Sequence, residues 1–254
     1  MRFKPQAVQK YDYNPDPRLS AGLLAEYLTA TAPRRTSIIR DAKFPKTAIV
    51  AKYREARSGI VRHLCAGPGG TNHLDEAIAR LAERGNGPDP SQWTADDCRD
   101  STAALRLFQS SHSGIVGQQL GFRAINGSLP LLMIAGVGVS VALDATVHRR
   151  ARDGSERVGG ILLFFSKRLA NDEAATERAT VSALLCLMFA EKHLLHAGTV
   201  DPKLCFALDV FGQRLIPAPS GRTRRKTAIE HSCAEVAGRW AGVKPPRDYD
   251  GPPV

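Results

Sequence analysis

Two neighbouring apolar runs, residues 136–148 and 159–167, constrain the fold of this chain more than any other feature. In the first run apolar residues alternate with small or polar ones, which is the two-residue period of a strand with one buried face. The second run is apolar on both faces, which indicates a strand in the interior of a sheet. Between the runs, Asp153 and Gly154 form a dipeptide typical of a hairpin turn. The two runs therefore predict a β-hairpin within a sheet.

The predicted hairpin carries one acidic and one basic side chain that can come together. Asp144 lies on the polar face of the first strand, and Lys167 ends the second strand. We expect the carboxylate and the ammonium group to lie side by side over the sheet, which makes them the first candidates for chemistry. The alternative is a structural role, with Asp144 solvated or paired with an arginine such as Arg123 or Arg149, and with Lys167 reaching into solvent.

Helical and strand patterns along the rest of the chain predict the fold class α/β (α+β), with a small mixed sheet flanked by helices and a mainly helical N-terminal part. Ser20 is a candidate N-cap for the first clear helix, which we expect Pro33 to close. A stretch rich in glycine and proline marks a boundary near residue 90. We predict a basic helical region over residues 1–90, an α/β core over residues 91–243 and a disordered tail over residues 244–254.

The chain has a large excess of positive charge, with a net charge of +10 at pH 7. Such an excess favours a polyanionic partner, first nucleic acid and then acidic lipid or acidic protein. One basic stretch lies on a helix predicted over residues 45–63, and another lies at the start of the last helix, where the helix dipole favours an anion. The alternative is a solvated basic surface without a ligand. The candidate nucleic-acid-binding residues are Arg34, Arg35, Arg54, Arg57, Arg222, Arg224, Arg225 and Lys226.

Membrane, secreted and metal-thiolate classes find no support in the sequence. There is no apolar run of about 18 residues and no apolar signal-peptide core near the N-terminus, so we expect a cytoplasmic protein without a membrane partner. The five cysteines are scattered and show no metal-ligand spacing. We expect them to be free thiols that pack as small apolar groups.

The order of the elements and the placement of Asp144 and Lys167 resemble the PD-(D/E)XK nuclease superfamily. The resemblance covers residues 100–211 and includes Gly138, six residues before the aspartate, and a helix directly after the lysine. It implies a core of restriction-endonuclease-like order and Mg²⁺-dependent cleavage of phosphodiester bonds. In that superfamily the aspartate and a second acid bind Mg²⁺, which polarises the phosphate and activates the attacking water, while the lysine positions that water.

One position departs from the superfamily motif. Phe165 stands two residues before Lys167, where the superfamily has its second acid. The resemblance then implies either that the second carboxylate comes from elsewhere or that the site is inactive. With Glu177 as the relocated acid, the metal ligands would be Asp144 and Glu177, and the catalytic residues would be these two with Lys167. Glu173 and Asp209 are further candidates for the relocated acid.

Three functions follow from these observations. The first is a divergent Mg²⁺-dependent nuclease, the second is a non-catalytic DNA- or RNA-binding protein on the same scaffold, and the third is a regulatory subunit with an acidic protein partner. DNA is favoured over RNA, and a homodimer or a protein partner stays open. Charge does not separate the first two functions, because both need phosphate contacts. A second carboxylate beside Asp144 would favour catalysis.

Overall fold

The protein is a mixed α/β structure, as the sequence predicts. A computed structural model describes residues 9–47, 52–67, 72–88, 90–111, 120–165 and 173–253. Within these ranges the chain forms seven α-helices and two mixed sheets, one of three strands and one of five. None of the helices in the described ranges is both long enough and apolar enough to cross a membrane.

Seven helices and eight strands follow one another along the described part of the chain. The helices are α1 (Ala21–Thr29), α2 (Ala32–Lys43), α3 (Arg54–Ala66), α4 (His73–Gly85), α5 (Gln92–Ser111), α6 (Glu173–His193) and α7 (Thr223–Trp240). The strands are β1 (Arg18–Ser20), β2 (Gly121–Ala124), β3 (Leu132–Ile134), β4 (Val137–Ser140), β5 (Ala145–Arg150), β6 (Glu156–Phe164), β7 (Thr199–Asp209) and β8 (Arg214–Pro217).

The larger sheet has the strand order β2–β5–β6–β7–β8, so β6 lies at its centre. The predicted hairpin is confirmed, because β5 pairs with β6 in antiparallel fashion and Gly154 in the turn has a φ of 82°. β6 and β7 are parallel, and α6 lies in the crossover between them. The apolar character of both faces of β6 has a direct cause: Leu162 packs in one hydrophobic cluster and Leu163 packs in another.

The first predicted strand is in fact two strands in different sheets. β4 belongs to the smaller sheet, whose order is β1–β4–β3, whereas β5 belongs to the larger sheet. Residues 141–144 connect them, with Val141 and Leu143 buried and Ala142 exposed. The alternation of buried and exposed side chains therefore continues through the connection, and the sequence pattern gives no sign of the break. Asp144 is the last residue of this connection and directly precedes β5.

Helices cover both faces of the larger sheet. α3, α4 and α5 share one hydrophobic cluster with β5, β6 and β7. α6 covers the opposite face and shares a second cluster with the smaller sheet and with α1, α2 and α7. Both clusters contain residues from before and after residue 90, so they cross the predicted boundary. The pairing of β1 with β4 crosses it as well. The division of the chain into separate regions stays a prediction.

Of three local features predicted in the N-terminal half, one is confirmed and two differ from expectation. The cap is as predicted, because the Ser20 Oγ accepts a hydrogen bond from the Leu23 N–H at 3.2 Å. Pro33 does not close α1 but lies in the first turn of α2, where a proline loses no hydrogen bond. The helix predicted over residues 45–63 is described from Arg54 onward as α3, and Tyr53 directly before it takes a left-handed φ of 63°. Residues 48–51 of the predicted helix lie outside the described residues.

The C-terminal segment expected to be disordered makes ordered contacts with the N-terminal half. The Lys10 N–H donates to Asp250 Oδ1 at 2.9 Å, and the Tyr11 hydroxyl donates to Asp248 Oδ1 at 3.1 Å. The Tyr249 ring packs edge-on against Phe44 with the centroids 5.0 Å apart. The composition of this segment predicts disorder. The prediction misses these contacts because local composition does not show which distant residues a segment packs against.

Gly159 in β6 provides a test of the register between β6 and β7. This glycine lies at an irregularity in the pairing, and a Cβ added there would overlap the carbonyl group of Leu204. We expect Gly159→Ala to lower the free energy of unfolding by about 1–3 kcal/mol, as measured by urea denaturation. Gly238→Ala is the matched control, because a Cβ there meets open space on α7, and alanine stabilises a helix by about 1 kcal/mol relative to glycine. A Gly159→Ala variant as stable as the wild type would contradict the register.

Candidate functional site

Asp144, the predicted catalytic acid, is buried and paired with Arg57. The Asp144 side chain is 4% exposed and that of Arg57 is 43% exposed. Arg57 Nη1 lies 2.6 Å from Asp144 Oδ1 and 2.7 Å from Oδ2. The Leu163 N–H donates to Asp144 Oδ2 at 2.7 Å, and the Leu163 carbonyl accepts from Arg57 Nη2 at 3.0 Å. The pair therefore links α3, the connection before β5, and β6.

The start of α3 sets the position of Arg57. The Tyr53 N–H donates to Asp97 Oδ1 at 2.8 Å, which anchors the residue before the helix to a buried carboxylate of α5. The Tyr53 ring stacks on Phe165 with the centroids 5.0 Å apart and an interplanar angle of 12°. The Arg57 guanidinium carbon lies 5.3 Å from the centroid of the Phe165 ring, within cation–π range. Phe165, which stands where the resemblance leads one to expect a second acid, thus supports the arginine.

Burial raises the pKa of Asp144, and the Arg57 guanidinium and the Leu163 N–H oppose this shift without cancelling it. At pH values between the ordinary aspartate pKa of about 3.9 and the raised pKa of Asp144, this carboxyl group binds more protons in the folded protein than in the unfolded chain. By linkage, the stabilising contribution of Asp144 is complete below this window and is lost as the pH rises through the raised pKa.

The described residues around Asp144 do not fit a divalent cation. Mg²⁺ prefers several oxygen ligands, but the Asp144 oxygens already accept from Arg57 and Leu163, and the Leu163 carbonyl also accepts from Arg57. These oxygens therefore already bind protein donors. In the described ranges, no group of three or more His, Cys, Asp or Glu side chains is placed to hold a metal ion.

Two of the candidate second acids also have arginine partners of their own. Glu177 forms a bidentate salt bridge with Arg225: Arg225 Nε donates to Oε1 at 3.1 Å, and Nη2 donates to Oε2 at 2.9 Å. Asp209 is fully buried and accepts from the Gly212 N–H at 2.9 Å and from Arg214 Nη2 at 3.1 Å, so it holds the turn after β7.

The remaining two residues predicted for the nuclease site are Glu173 and Lys167. Glu173 is exposed in the first turn of α6. Lys167 lies outside the described residues, so the predicted side-by-side placement of Lys167 and Asp144 stays a prediction.

Besides Arg57, four of the predicted nucleic-acid-binding residues make intramolecular contacts. Arg34 pairs with Glu26 at 2.8 Å, and Arg35 donates to the Tyr27 carbonyl at 3.0 Å. Arg225 pairs with Glu177, as described above. Lys226 pairs with Glu191 at 2.8 Å. Half of the basic group at the start of α7 is therefore neutralised by carboxylates of α6, although the local sequence there holds no acid.

The other four predicted basic residues differ in what surrounds them. Arg57 is held by Asp144, whereas Arg54, Arg222 and Arg224 form no ion pair within the described part of the chain. Arg54 and Arg224 are exposed, and Arg222 is half-buried at the N-cap of α7. The structure brings two of the eight residues, Arg54 and Arg57, into one cavity.

Two cavities meet at the Arg57–Asp144 pair. The first has a volume of about 580 Å³; we call it the arginine cavity, because Arg54, Arg57 and Arg62 line it together with Asp144. The second has a volume of about 590 Å³; we call it the strand-end cavity. Its wall includes the pair and also Ser20, Gly22, Lys52, Tyr53, Phe165 and Ser182.

Sequence reasoning selected both members of the pair but did not place them together. The arginines expected beside Asp144 have other partners: Arg123 pairs with Glu156 at 3.1 Å, and Arg149 pairs with Asp201 at 2.7 Å. Arg57 and Asp144 are 87 residues apart, so no local pattern could have indicated their contact. Ser182 and Tyr53 were not selected at all, because each fits an ordinary core or helix-start position.

These features define an α/β protein with a buried, arginine-paired aspartate between two open cavities. A comparison of the chain with models of known protein families gives no match, and a comparison with curated proteins also gives none.

The first test of the site is the dependence of stability on pH after the removal of Arg57. We expect Arg57→Leu to lower the free energy of unfolding by about 1–3 kcal/mol at pH 8, because it leaves a charged carboxylate buried without its partner. The loss should be smaller at pH 5, because the Asp144 pKa is already raised by burial and rises further without the guanidinium, so the carboxyl group takes up a proton. Urea denaturation at both pH values measures this difference.

Arg54→Leu is the matched control for this test, because it removes the same charge from an exposed position on the same helix. We expect it to change stability by less than about 0.5 kcal/mol. An equal loss for Arg57→Leu at pH 5 and pH 8 would contradict the coupling of Arg57 to a titrating Asp144.

Proposed function

We propose that this protein binds nucleic acid through the arginine cavity and does not cleave it. The observation that carries the proposal is the composition of that cavity: three arginines line it against one carboxylate, and Arg57 already neutralises that carboxylate. The remaining two arginines give the cavity a positive charge. Its other walls include Val61, which adds apolar contact area.

Arg54 and Arg62 have side chains that can reach a phosphate. Arg54 is exposed and forms no ion pair within the described residues. Arg62 is 45% exposed and lies 3.6 Å from Glu55, a carboxylate that Arg80 approaches more closely, at 2.7 Å. A guanidinium group offers a planar fork of donors that matches two phosphate oxygens. The net charge of +10 is consistent with a polyanionic ligand.

The bonding of Asp144 supports binding rather than cleavage. A metal-dependent nuclease needs carboxylate oxygens that are open to a cation. Both oxygens of Asp144 bind protein donors, and one of these donors carries a permanent positive charge. The arginine provides fixed positive charge at this position without Lewis-acid chemistry.

A divergent Mg²⁺-dependent nuclease is the second candidate. The observation that favours it is the placement of Asp144 directly before β5 and beside the end of β6, with α5 before these strands and α6 and β7 after them. This is the element order on which the resemblance to the PD-(D/E)XK superfamily rests. Lys167 follows β6 in the sequence at the position of the superfamily lysine.

The dependence of binding on salt tests the proposed function. We expect the affinity for labelled duplex or single-stranded DNA to fall steeply between about 50 and 200 mM salt, because binding releases counterions from the phosphates. The double variant Arg54→Ala/Arg62→Ala should bind more weakly and should reduce the slope of log K against log salt by about 2, or about 1 for each lost phosphate contact. Fluorescence anisotropy measures both quantities.

The matched control is Arg106→Ala/Arg152→Ala, which removes the same charge from exposed residues on α5 and in the β5–β6 turn. We expect its slope to stay closer to that of the wild type. Binding with a flat salt dependence, or no binding, would contradict the proposal and would turn attention to an acidic protein partner. Parallel titrations with RNA compare the two nucleic acids.

A cleavage assay separates the two candidate functions. We expect labelled DNA and RNA to stay intact with the wild-type protein in the presence of Mg²⁺ or Mn²⁺, at protein concentrations that saturate binding. Metal-dependent cleavage that disappears in Asp144→Asn and Asp144→Ala, while binding persists, would overturn the non-catalytic proposal and establish the nuclease. Asp144→Asn is included because it preserves the shape of the buried side chain.

A further inference from the structure

The strand-end cavity lies beyond the carboxyl ends of two parallel strands. β1 pairs with β4 in parallel, with Ser20 opposite Ser140, and both of these last residues line the cavity. Phe164, the last residue of β6, also lines it. In open sheets with parallel strands, ligands bind beyond the carboxyl ends of the strands. The position of the cavity is therefore one where a ligand is expected.

A helix begins in the wall of the same cavity. β1 passes into α1 without an intervening loop, and Ser20, Ala21 and Gly22 all line the cavity. The Ser20 hydroxyl accepts from the Leu23 N–H, whereas the N–H groups of Ala21 and Gly22 have no acceptor within the helix. The N-terminus of this nine-residue helix carries partial positive charge. Gly22 is exposed, and the lack of a side chain leaves its backbone open to a ligand.

Ser182 is an independent sign that the cavity holds a polar ligand. Its side chain comes from α6, on another wall of the cavity, and the residue is fully buried. Its Oγ has no hydrogen-bond partner in the described part of the structure. Buried hydroxyl groups almost always have a partner. A ligand oxygen in the cavity would provide that partner.

Two cations complete the set of donors. Lys52 lines the cavity and pairs with Asp100 at 2.7 Å, which restricts the position of its ammonium group. Arg57 uses Nη1 and Nη2 for Asp144 and Leu163, and its Nε–H forms no hydrogen bond within the described residues. Residues that carry backbone N–H donors, a hydroxyl, an ammonium group and a guanidinium group therefore line one cavity. A phosphate monoester, with three terminal oxygens that accept hydrogen bonds, matches such a set.

We propose that the strand-end cavity binds the phosphate monoester of a nucleotide, either at the end of a nucleic-acid strand or in a free nucleotide. Binding of the end of a nucleic-acid chain rests on the proposed function, whereas binding of a free nucleotide does not. The volume of about 590 Å³ is comparable with that of small-molecule sites. A strand end enters such a cavity with one nucleotide, whereas an internal phosphodiester would have to bring both of its neighbours. Tyr53 and Phe165 also line the cavity, and their rings add apolar contact area for the nucleoside.

The first part of the test compares strand ends. Internally labelled oligonucleotides of one sequence carry a 5′-phosphate, a 3′-phosphate or hydroxyl groups at both ends, and fluorescence anisotropy gives their affinities. We expect the wild type to prefer one of the phosphorylated ends by about tenfold, the value of one well-formed set of charge-assisted hydrogen bonds. Calorimetric titration with AMP, adenosine and inorganic phosphate then tests the free nucleotide. AMP that binds as tightly as the phosphorylated strand identifies free nucleotides as the ligand, and weaker AMP binding identifies strand ends.

Gly22→Asp is the decisive variant. A carboxylate in the first turn of α1 stabilises the helix through its dipole, so the protein should fold, but the added negative charge repels a phosphate from the cavity. We expect this variant to lose the preference for phosphate. Gly22→Asn is the matched control, with nearly the same shape and no charge, and it should lose less of the preference than Gly22→Asp. Ser182→Ala should reduce the preference severalfold, because it removes one donor.

The results separate this inference from the proposed function. Equal wild-type binding of all three oligonucleotides, together with no AMP binding, overturns the inference, while a steep salt dependence would leave nucleic-acid binding intact. A phosphate preference that survives in Gly22→Asp also overturns the assignment to this cavity. AMP binding that Gly22→Asp abolishes supports the inference even if the protein binds no DNA or RNA.

Discussion

The ion pair between Arg57 and Asp144 is the interaction on which the candidate site depends. Asp144 lies where the chain passes from the smaller sheet to the larger one, and Arg57 comes from a helix that packs on the larger sheet. Burial of a carboxylate costs several kcal/mol unless charge and hydrogen bonds compensate. Arg57 and the Leu163 N–H provide part of this compensation. Since both cavities use the pair as a wall, their shapes depend on it.

Charge pairing across the fold changes what the basic composition means. The net charge of +10 suggests a uniformly positive surface, but Arg225 and Lys226 are paired with carboxylates of α6. Arg57 is likewise paired with a carboxylate, that of Asp144. Cations that are exposed and form no ion pair within the described residues include Arg54 and Arg224.

Much of the fold could be predicted from local patterns. The hairpin of β5 and β6, the Ser20 cap and the mixed α/β class follow from residue periods and turn residues that act over a few positions. The division of the first run into β4 and β5 could not be predicted, because the alternation of buried side chains continues through residues 141–144. Each strand pairs in a different sheet, and pairing is decided by distant segments.

The sequence by itself determined which side chains carry charge, which segments bury an apolar face, and that Asp144 and Arg57 are candidates for function. Only the tertiary structure decided that these two residues meet, that Glu177 is held by Arg225, and that the α1 N-terminus and Ser182 share one cavity. The physical reason is range. Periodicity and capping act between near neighbours in the chain, whereas ion pairs and cavities form between residues that packing brings together from distant positions.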